Sequence, residues 1–133
     1  MDWKLEVVVL PVTDVDRSKK FYEEQCGFNV DVDRDLGMFR VVQLTPPGSG
    51  CSVTVGPVVL DEPPATKSRL QIVVSDIDAA RAELVERGVD AGPVVHFDET
   101  GQVEGHGGDW NSFVFFEDPD GHNWAIQQAP TSA

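Results

Sequence analysis

Apolar side chains recur at helical spacing in two stretches of the chain, at Val15, Phe21, Tyr22 and Cys26 and again at Ile77, Ala80, Leu84 and Val85. Each stretch begins after an aspartate, Asp14 or Asp76, which is suited to cap the free N–H groups at a helix start. Each stretch ends at a glycine, Gly27 or Gly88, as is usual for a left-handed C-terminal cap. The pattern therefore predicts one amphipathic helix in each half of the chain.

Shorter apolar runs surround both predicted helices and are typical of strands. One such run precedes each helix. Three more follow it, over residues 28–32, 39–44 and 51–55 in the first half and 94–97, 113–117 and 123–128 in the second. The sequence Asp118-Pro119-Asp120-Gly121 predicts a tight turn between the last two strands. Residues 57–68 are predicted to be a linker, and residues 130–133 a frayed tail.

The two halves also share a motif. Residues 10–18 (LPVTDVDRS) and 72–80 (IVVSDIDAA) each combine an apolar strand, a Thr or Ser, and an Asp-apolar-Asp helix start, with an offset of 62 residues. A repeat at about half the chain length predicts two copies of one structural unit. We therefore predict an α+β fold with a single domain over residues 1–129. It is built from two tandem βαβββ modules, about 4–57 and 68–128, with curved mixed sheets and outer helices.

Composition and charge narrow the classes of partner. The 133 residues suit one domain, and 41% hydrophobic residues suit a packed core. A net charge of −13 repels phosphate backbones and anionic lipids, so neither nucleic acid nor a membrane is an expected partner. The chain shows no charged-then-apolar leader, which predicts a cytoplasmic protein with Cys26 and Cys51 as reduced thiols.

Three motifs in this order resemble those of the vicinal-oxygen-chelate superfamily: residues 10–18 followed by Phe21-Tyr22, residues 74–80, and residues 116–121 (FEDPDG). That superfamily includes glyoxalase I, extradiol dioxygenases, fosfomycin-resistance proteins and bleomycin-resistance proteins. The resemblance covers about residues 4–128 and implies the two-module fold. Its enzymes hold a divalent metal with His, Glu or Gln on four inner strands. The resemblance implies that the corresponding positions here are Val7, Leu70, Ala125 and a residue near Thr54.

The residues at these implied metal positions do not suit a metal. Val7, Leu70 and Ala125 carry no donor atom, whereas divalent cations need carboxylate or imidazole ligands. The neighbours Glu6 and Gln71 would have to slip by one residue, which turns a strand side chain to the other face. The resemblance is therefore nearest in character to metal-free binding members such as bleomycin-resistance proteins, which bind a cationic drug in an acidic dimer groove. We expect a homodimer without cofactor that binds, and sequesters, a cationic or aromatic drug or metabolite.

Strand alternation from these positions predicts the residues that line an apolar groove. They are Leu5, Val7, Val9, Thr54, Leu70, Ile72, Asn123, Ala125 and Gln127. Asn123 and Gln127 are the expected polar anchors. The glycine-rich segment 98–112 is expected to be a long loop that adds His106 and Trp110, with Trp110 stacking on a planar ligand. We further expect His122 to be a solvated turn residue and Trp124 to pack beneath the helices.

Two other functions stay open. A metal-dependent lyase, isomerase or dioxygenase of the same superfamily would use displaced ligands such as Glu6, His96 or His106. An interaction subunit would fill the groove with its own side chains. No Ser/His/Asp order and no paired carboxylates point to hydrolysis, so no catalytic residue is assigned.

Overall fold

The computed structural model describes residues 1–35, 40–56 and 68–130. The chain divides into two compact units, residues 1–67 and 68–133. The predicted modules, 4–57 and 68–128, fall one in each unit. The predicted linker, apart from Ser68, and the last three residues of the predicted tail lie outside the described residues.

The first unit is a four-stranded sheet with one helix. Its elements are β1 (Val7–Leu10), α1 (Val15–Lys20), a π-helical segment (Phe21–Gln25), β2 (Asn29–Asp35), β3 (Arg40–Thr45) and β4 (Ser52–Val55). The sheet order is β1-β4-β3-β2, in which β1 pairs with β4 in parallel and the other neighbours are antiparallel. Leu10, Tyr22, Leu44 and Val55 are fully buried and form the centre of its core.

The second unit repeats this plan with one additional strand. Its elements are β5 (Arg69–Val74), α2 (Ile77–Glu86), β6 (Val95–Asp98), β7 (Gly101–Glu104), β8 (Phe113–Glu117) and β9 (Asn123–Gln128). The sheet order is β5-β9-β8-β6-β7, and the first strand again pairs in parallel with the last. The predicted α+β fold, with mixed sheets and one helix in each half, is confirmed.

Both helices begin and end at the residues that the sequence indicates. The Oδ1 atoms of Asp14 and Asp76 accept hydrogen bonds from backbone N–H groups three residues later, each at 3.1 Å. Gly27 and Gly88 follow the helices with φ of 74° and 89°, a conformation that only glycine adopts without strain. Neither helix in the described part of the chain has the length and apolar character needed to cross a membrane.

The prediction of one long loop over residues 98–112 is wrong for its first part. Residues 101–104 form β7, which pairs with β6 from Val95↔Glu104 to Asp98↔Gly101. The turn between them is closed by Asp98, whose Oδ1 accepts from the Thr100 N–H at 2.8 Å. The short polar strand shows no apolar alternation, so the pattern did not reveal it. Residues 105–112 remain as the loop.

The prediction that His122 is a solvated turn residue is also wrong, because its side chain is fully buried. The Asp118 carboxylate folds back into the turn, where its Oδ1 accepts from the N–H groups of Asp120 and His122 at 2.9 and 2.8 Å. His122 Nδ1 accepts from the Ser68 N–H at 2.8 Å. The turn therefore ties the start of β5 to the start of β9.

An ion-pair cluster connects α1 to β2 and β3 in the first unit. Arg40 approaches both carboxylate oxygens of Asp33, at 2.9 and 2.7 Å, and also pairs with Asp16. Lys19 Nζ lies 2.9 Å from Asp33 Oδ2. These hydrogen bonds, first from Arg40 and then from Lys19, hold the pKa of the Asp33 carboxyl well below its usual range.

Replacement of Asp33 by asparagine is expected to lower the free energy of unfolding at pH 7 by about 1 kcal/mol, since the cluster is partly exposed and screened. A lowered pKa stabilises the fold above the unfolded-state value of about 4, and this stabilisation is lost as the pH falls further. The difference between wild type and Asp33→Asn should therefore shrink below about pH 4 in urea titrations. Asp90→Asn, at an exposed aspartate, is the control, and a difference for Asp33→Asn that stays constant with pH would contradict the account.

Candidate functional site

One face of the second unit's sheet is open. Along β8 and β9, Val114, Phe116, Trp124 and Ile126 are buried, whereas their alternate neighbours are not. The register carries this face across the sheet, because Ala125 pairs with both Phe115 and Gln71. We call it the open face; its residues are Arg69, Gln71, Val73, Val95, Phe97, Gln102, Glu104, Phe113, Phe115, Glu117, Asn123, Ala125 and Gln127.

Three phenylalanines form a cluster on the open face. The ring centroid of Phe97 lies 5.5 Å from that of Phe113 and 6.2 Å from that of Phe115. Phe113 and Phe115 lie parallel, within 8°, at 6.0 Å. Phe97 is 42% and Phe115 39% exposed, which is high for large apolar side chains that touch one another. A contiguous aromatic patch of this kind is typical of a binding surface.

A cleft of about 460 Å³ lies on this face, which is within the usual range for sites of small organic ligands. It is lined by Arg69, Leu70, Gln71, Gln102, Phe115, Asn123, Trp124 and Ala125. The lining thus combines two aromatic residues with three side-chain amides and one guanidinium. Apolar area with a few convergent polar groups is the usual composition of a ligand site.

Gln71 and Gln127, both on the open face, are connected by two successive hydrogen bonds to the loop at residues 105–112. Gln71 Nε2 donates to Gln127 Oε1 at 2.5 Å, and Gln127 Nε2 donates to the Trp110 carbonyl oxygen at 2.8 Å. Trp110 has a φ of 61°, which is unusual for a residue with a side chain. The cleft and this loop are therefore linked through side-chain amides.

The predicted lining of β9 lies on the open face, but that of β5 does not. Asn123, Ala125 and Gln127 are on the open face, and the first two line the cleft. The prediction that Leu70 and Ile72 share this face is wrong. Leu70 pairs with Trp124 and Ile72 with Ile126, so both side chains lie on the buried face, although Leu70 borders the cleft.

The wrong face was predicted for β5 because the counterpart of Val7 was counted one residue too close to Asp76. Val7 precedes Asp14 by seven residues, and the same spacing before Asp76 gives Arg69, whereas the prediction used Leu70. A shift of one residue places a strand side chain on the opposite face. Arg69 and Gln71 are thus the β5 residues of the site, and the repeat offset was the signal that would have found them.

The two predicted loop residues lie apart from the cleft lining. His106 Nε2 is 2.8 Å from Asp78 Oδ2 at the first turn of α2, so His106 contacts the helix. Trp110 is half-exposed and reaches the open face through its backbone carbonyl on Gln127. Its ring as a stacking partner stays a prediction.

The remaining predicted lining residues belong to the first unit. Val7 pairs with Ser52, and Val9 pairs with Thr54, so Val7, Val9 and Thr54 share one face of that sheet. Leu5, Val7 and Val9 are exposed, whereas Thr54 is buried. Their part in ligand binding stays a prediction.

In each unit, the side chains at the positions implied for the metal do not fit the divalent cation that the superfamily's enzymes hold. The relevant side chains are Val7 and Thr54 in the first unit and Arg69, Gln71 and Ala125 in the second. They offer a hydroxyl, an amide and a guanidinium, but neither carboxylate nor imidazole. Among the described residues, no three His, Cys, Asp or Glu side chains are grouped as a metal site would require.

Comparison with known proteins places this fold in one superfamily. The family model described as Glyoxalase/Bleomycin resistance protein/Dioxygenase superfamily matches residues 4–126. Among solved structures, the chain is similar to TnmS3, an antibiotic binding protein from Streptomyces sp. CB03234. The two are 27% identical with a TM-score of 0.75, over 97% of this chain and 98% of TnmS3.

Two further solved structures of superfamily members are also similar to this chain. A glyoxalase/bleomycin resistance protein from the same Streptomyces strain is 28% identical with a TM-score of 0.71, over 94% of this chain and 100% of that one. A superfamily member from Sphaerobacter thermophilus DSM 20745, 24% identical, shares the fold with a TM-score of 0.72 over 96% and 98%. No curated protein sequence matches the chain. The predicted resemblance is confirmed, and the chain belongs to the glyoxalase/bleomycin resistance protein/dioxygenase superfamily.

Proposed function

We propose that this protein binds a planar aromatic small molecule, without a metal, in the cleft on the open face of its second unit. The cluster of Phe97, Phe113 and Phe115, in which Phe97 and Phe115 are exposed and Phe115 lines the cleft, is the observation that carries the proposal. Ring faces that are already exposed and held by their neighbours offer a stacking surface at little conformational cost. The amides of Gln71, Gln102 and Asn123 would orient the ligand by hydrogen bonds.

The charge of the lining favours a neutral or anionic ligand over a cationic one. Arg69 is in the lining, and none of the described residues that line the cleft is acidic. The net charge of −13 still attracts cations over long distances, but salt screens that attraction. We therefore narrow the expected ligand from cationic or aromatic to aromatic.

Sequestration of an antibiotic or a similar metabolite fits this site. TnmS3, whose fold this chain shares over nearly its whole length, is an antibiotic binding protein. The side chains at the positions implied for the metal, which include neither carboxylate nor imidazole, support binding rather than the metal-dependent lyase, isomerase or dioxygenase chemistry of other members.

Substitution of Phe115 by alanine is expected to weaken binding of a planar dye about tenfold, because one stacking surface of the cleft is lost. Titration with neutral Nile red, anionic anilinonaphthalene sulfonate and cationic acridine orange, followed by fluorescence, measures the effect and ranks the three charges. Nile red or the sulfonate should bind more tightly than acridine orange.

Val85→Ala is the matched control, since Val85 is a similarly exposed apolar residue on α2, away from the cleft. Dye binding that Phe115→Ala and Val85→Ala change equally would contradict the proposed site. Tightest binding of acridine orange would restore the cationic ligand of the sequence prediction.

A homodimer and a cytoplasmic location remain part of the proposal. The exposed apolar side chains of Trp3, Leu5, Val7 and Val9, at alternate positions along the start of the chain, support a surface that a second copy covers. Light scattering after gel filtration should give twice the 14.5 kDa mass of one chain.

A further inference from the structure

The hydrogen-bond chain from Trp110 fixes how two side-chain amides are turned. An amide group presents an acceptor oxygen and a donor nitrogen of nearly the same shape, so its direction follows from its partners. The Trp110 carbonyl only accepts, and Gln127 must therefore turn its Nε2 toward it. Gln127 Oε1 then faces Gln71, which must present its own Nε2 at 2.5 Å.

The Trp110 carbonyl, at which this series of hydrogen bonds begins, is held in place by the bonds of its neighbour. Asn111, directly after Trp110, donates from its side chain to the Phe97 carbonyl and accepts from the Phe97 N–H, at 2.8 and 2.9 Å. Its backbone N–H also bonds to the Gly108 carbonyl at 3.1 Å. A residue with a side chain and a φ of 61° is retained only where its surroundings hold it in place. The Trp110 carbonyl is therefore a fixed acceptor.

Of the two glutamines, only Gln71 lines the cleft, whereas Gln127 lies outside the lining, on the C-terminal side of Ala125. One N–H group of Gln71 is thus directed at Gln127, which leaves Oε1 as the acceptor that this amide can offer to a ligand in the cleft. We propose that Gln71 is a specificity-determining residue that accepts a hydrogen bond, so that the cleft selects aromatic ligands with an O–H or N–H donor. Gln127 is its positioning residue. This inference rests on the proposed function.

The test compares two probes of one shape, 2-naphthol, which donates, and 2-methoxynaphthalene, which only accepts. Calorimetric titration of the wild-type protein should show about tenfold tighter binding of 2-naphthol, the effect of one hydrogen bond. Gln127→Met keeps the side-chain length but removes the amide that links Gln71 to the Trp110 carbonyl. The preference for 2-naphthol should therefore fall to about twofold or less. Gln25→Met, the matched control, removes a side-chain amide from the π-helical segment of the first unit, outside the cleft lining, and should keep the ratio.

The outcomes separate the inference from the proposed function. Equal binding of both probes to the wild type, or an unchanged ratio in Gln127→Met, would overturn the role of Gln71 while the aromatic site stands. If neither probe binds, or if Phe115→Ala leaves both affinities unchanged, the proposed function fails as well.

A second measurement does not depend on any variant. NMR of the unliganded protein labelled with nitrogen-15 and carbon-13 should detect coupling across the hydrogen bond between Gln127 Nε2 and the Trp110 carbonyl carbon. A Gln127 side chain that exchanges freely with water and lacks this coupling would remove the basis of the inference.

Discussion

Replacement of Gly107 by alanine is expected to lower the free energy of unfolding by about 3 kcal/mol, because the new methyl group has no room. A Cβ at this position would lie 2.2 Å from the Asn111 carbonyl oxygen and 2.7 Å from the His96 Cβ. Both contacts are to backbone or to the root of a side chain, so neither neighbour turns aside. The loop at residues 105–112 must move instead.

Moving the loop disturbs the bonds that anchor it. Gly107 N–H donates to Ser112 Oγ at 3.1 Å, and Asn111 is bonded to Phe97 through both ends of its side chain. Thermal unfolding should show a midpoint lower by about 10 °C, and amide exchange at Phe97 should accelerate. Because the Trp110 carbonyl belongs to this loop, the variant should also lose the preference for 2-naphthol.

Gly108 gives the matched control for this substitution. A Cβ there would meet nothing within 4 Å, and its φ is not in the left-handed region. Gly108→Ala should therefore change the unfolding midpoint by no more than about 2 °C. An equal loss of stability in Gly107→Ala and Gly108→Ala would contradict the steric explanation, because a Cβ meets close neighbours only at Gly107.

Replacement of His122 by alanine is expected to cost about 3 kcal/mol of unfolding free energy, of which the cavity supplies the larger part. The imidazole is fully buried, and its loss also leaves the Ser68 N–H without its 2.8 Å partner. Since Ser68 directly precedes β5, we expect exchange of the amides at the start of β5 to accelerate together with the global loss of stability.

His122→Asn distinguishes the hydrogen bond from the packing, since the asparagine oxygen can take the place of Nδ1 and should recover about 1 kcal/mol. His96→Ala serves as the control, because His96 is only half-buried and bonds to the Gly105 carbonyl at 2.9 Å. It should cost about 1 kcal/mol, measured by urea denaturation. A loss at His122 no larger than that at His96 would contradict the structural role assigned to His122.

Much of the fold could be predicted because its signals are local. Asp14 and Asp76, with Gly27 and Gly88, mark helix ends by backbone chemistry that acts within a single turn. Strand β7 was missed because its residues, Gly101–Glu104, are too polar and too few to show a period. His122 was misplaced for a related reason. Its burial depends on the distant Ser68 backbone, which no local pattern encodes.

The site was only partly predictable because it depends on register between strands. Alternation along β9 placed Asn123, Ala125 and Gln127 on one face, which the structure shows. The face of β5 depends on how it pairs with β9, and an error of one residue led to the prediction of Leu70 and Ile72 in place of Arg69 and Gln71. Phe115 and Gln102 could be assigned to the cleft only once the pairings of β8 and β7 were known.

The parallel pairing of first and last strands affects how each unit forms during synthesis. As β1 and later β5 leave the ribosome, the strand that each will pair with, β4 or β9, has not yet been translated. Contacts between such distant segments slow folding, because a long loop must close before they form. Each unit is therefore expected to complete its sheet in a late step, and a chaperone that shields the apolar first strand would raise the yield.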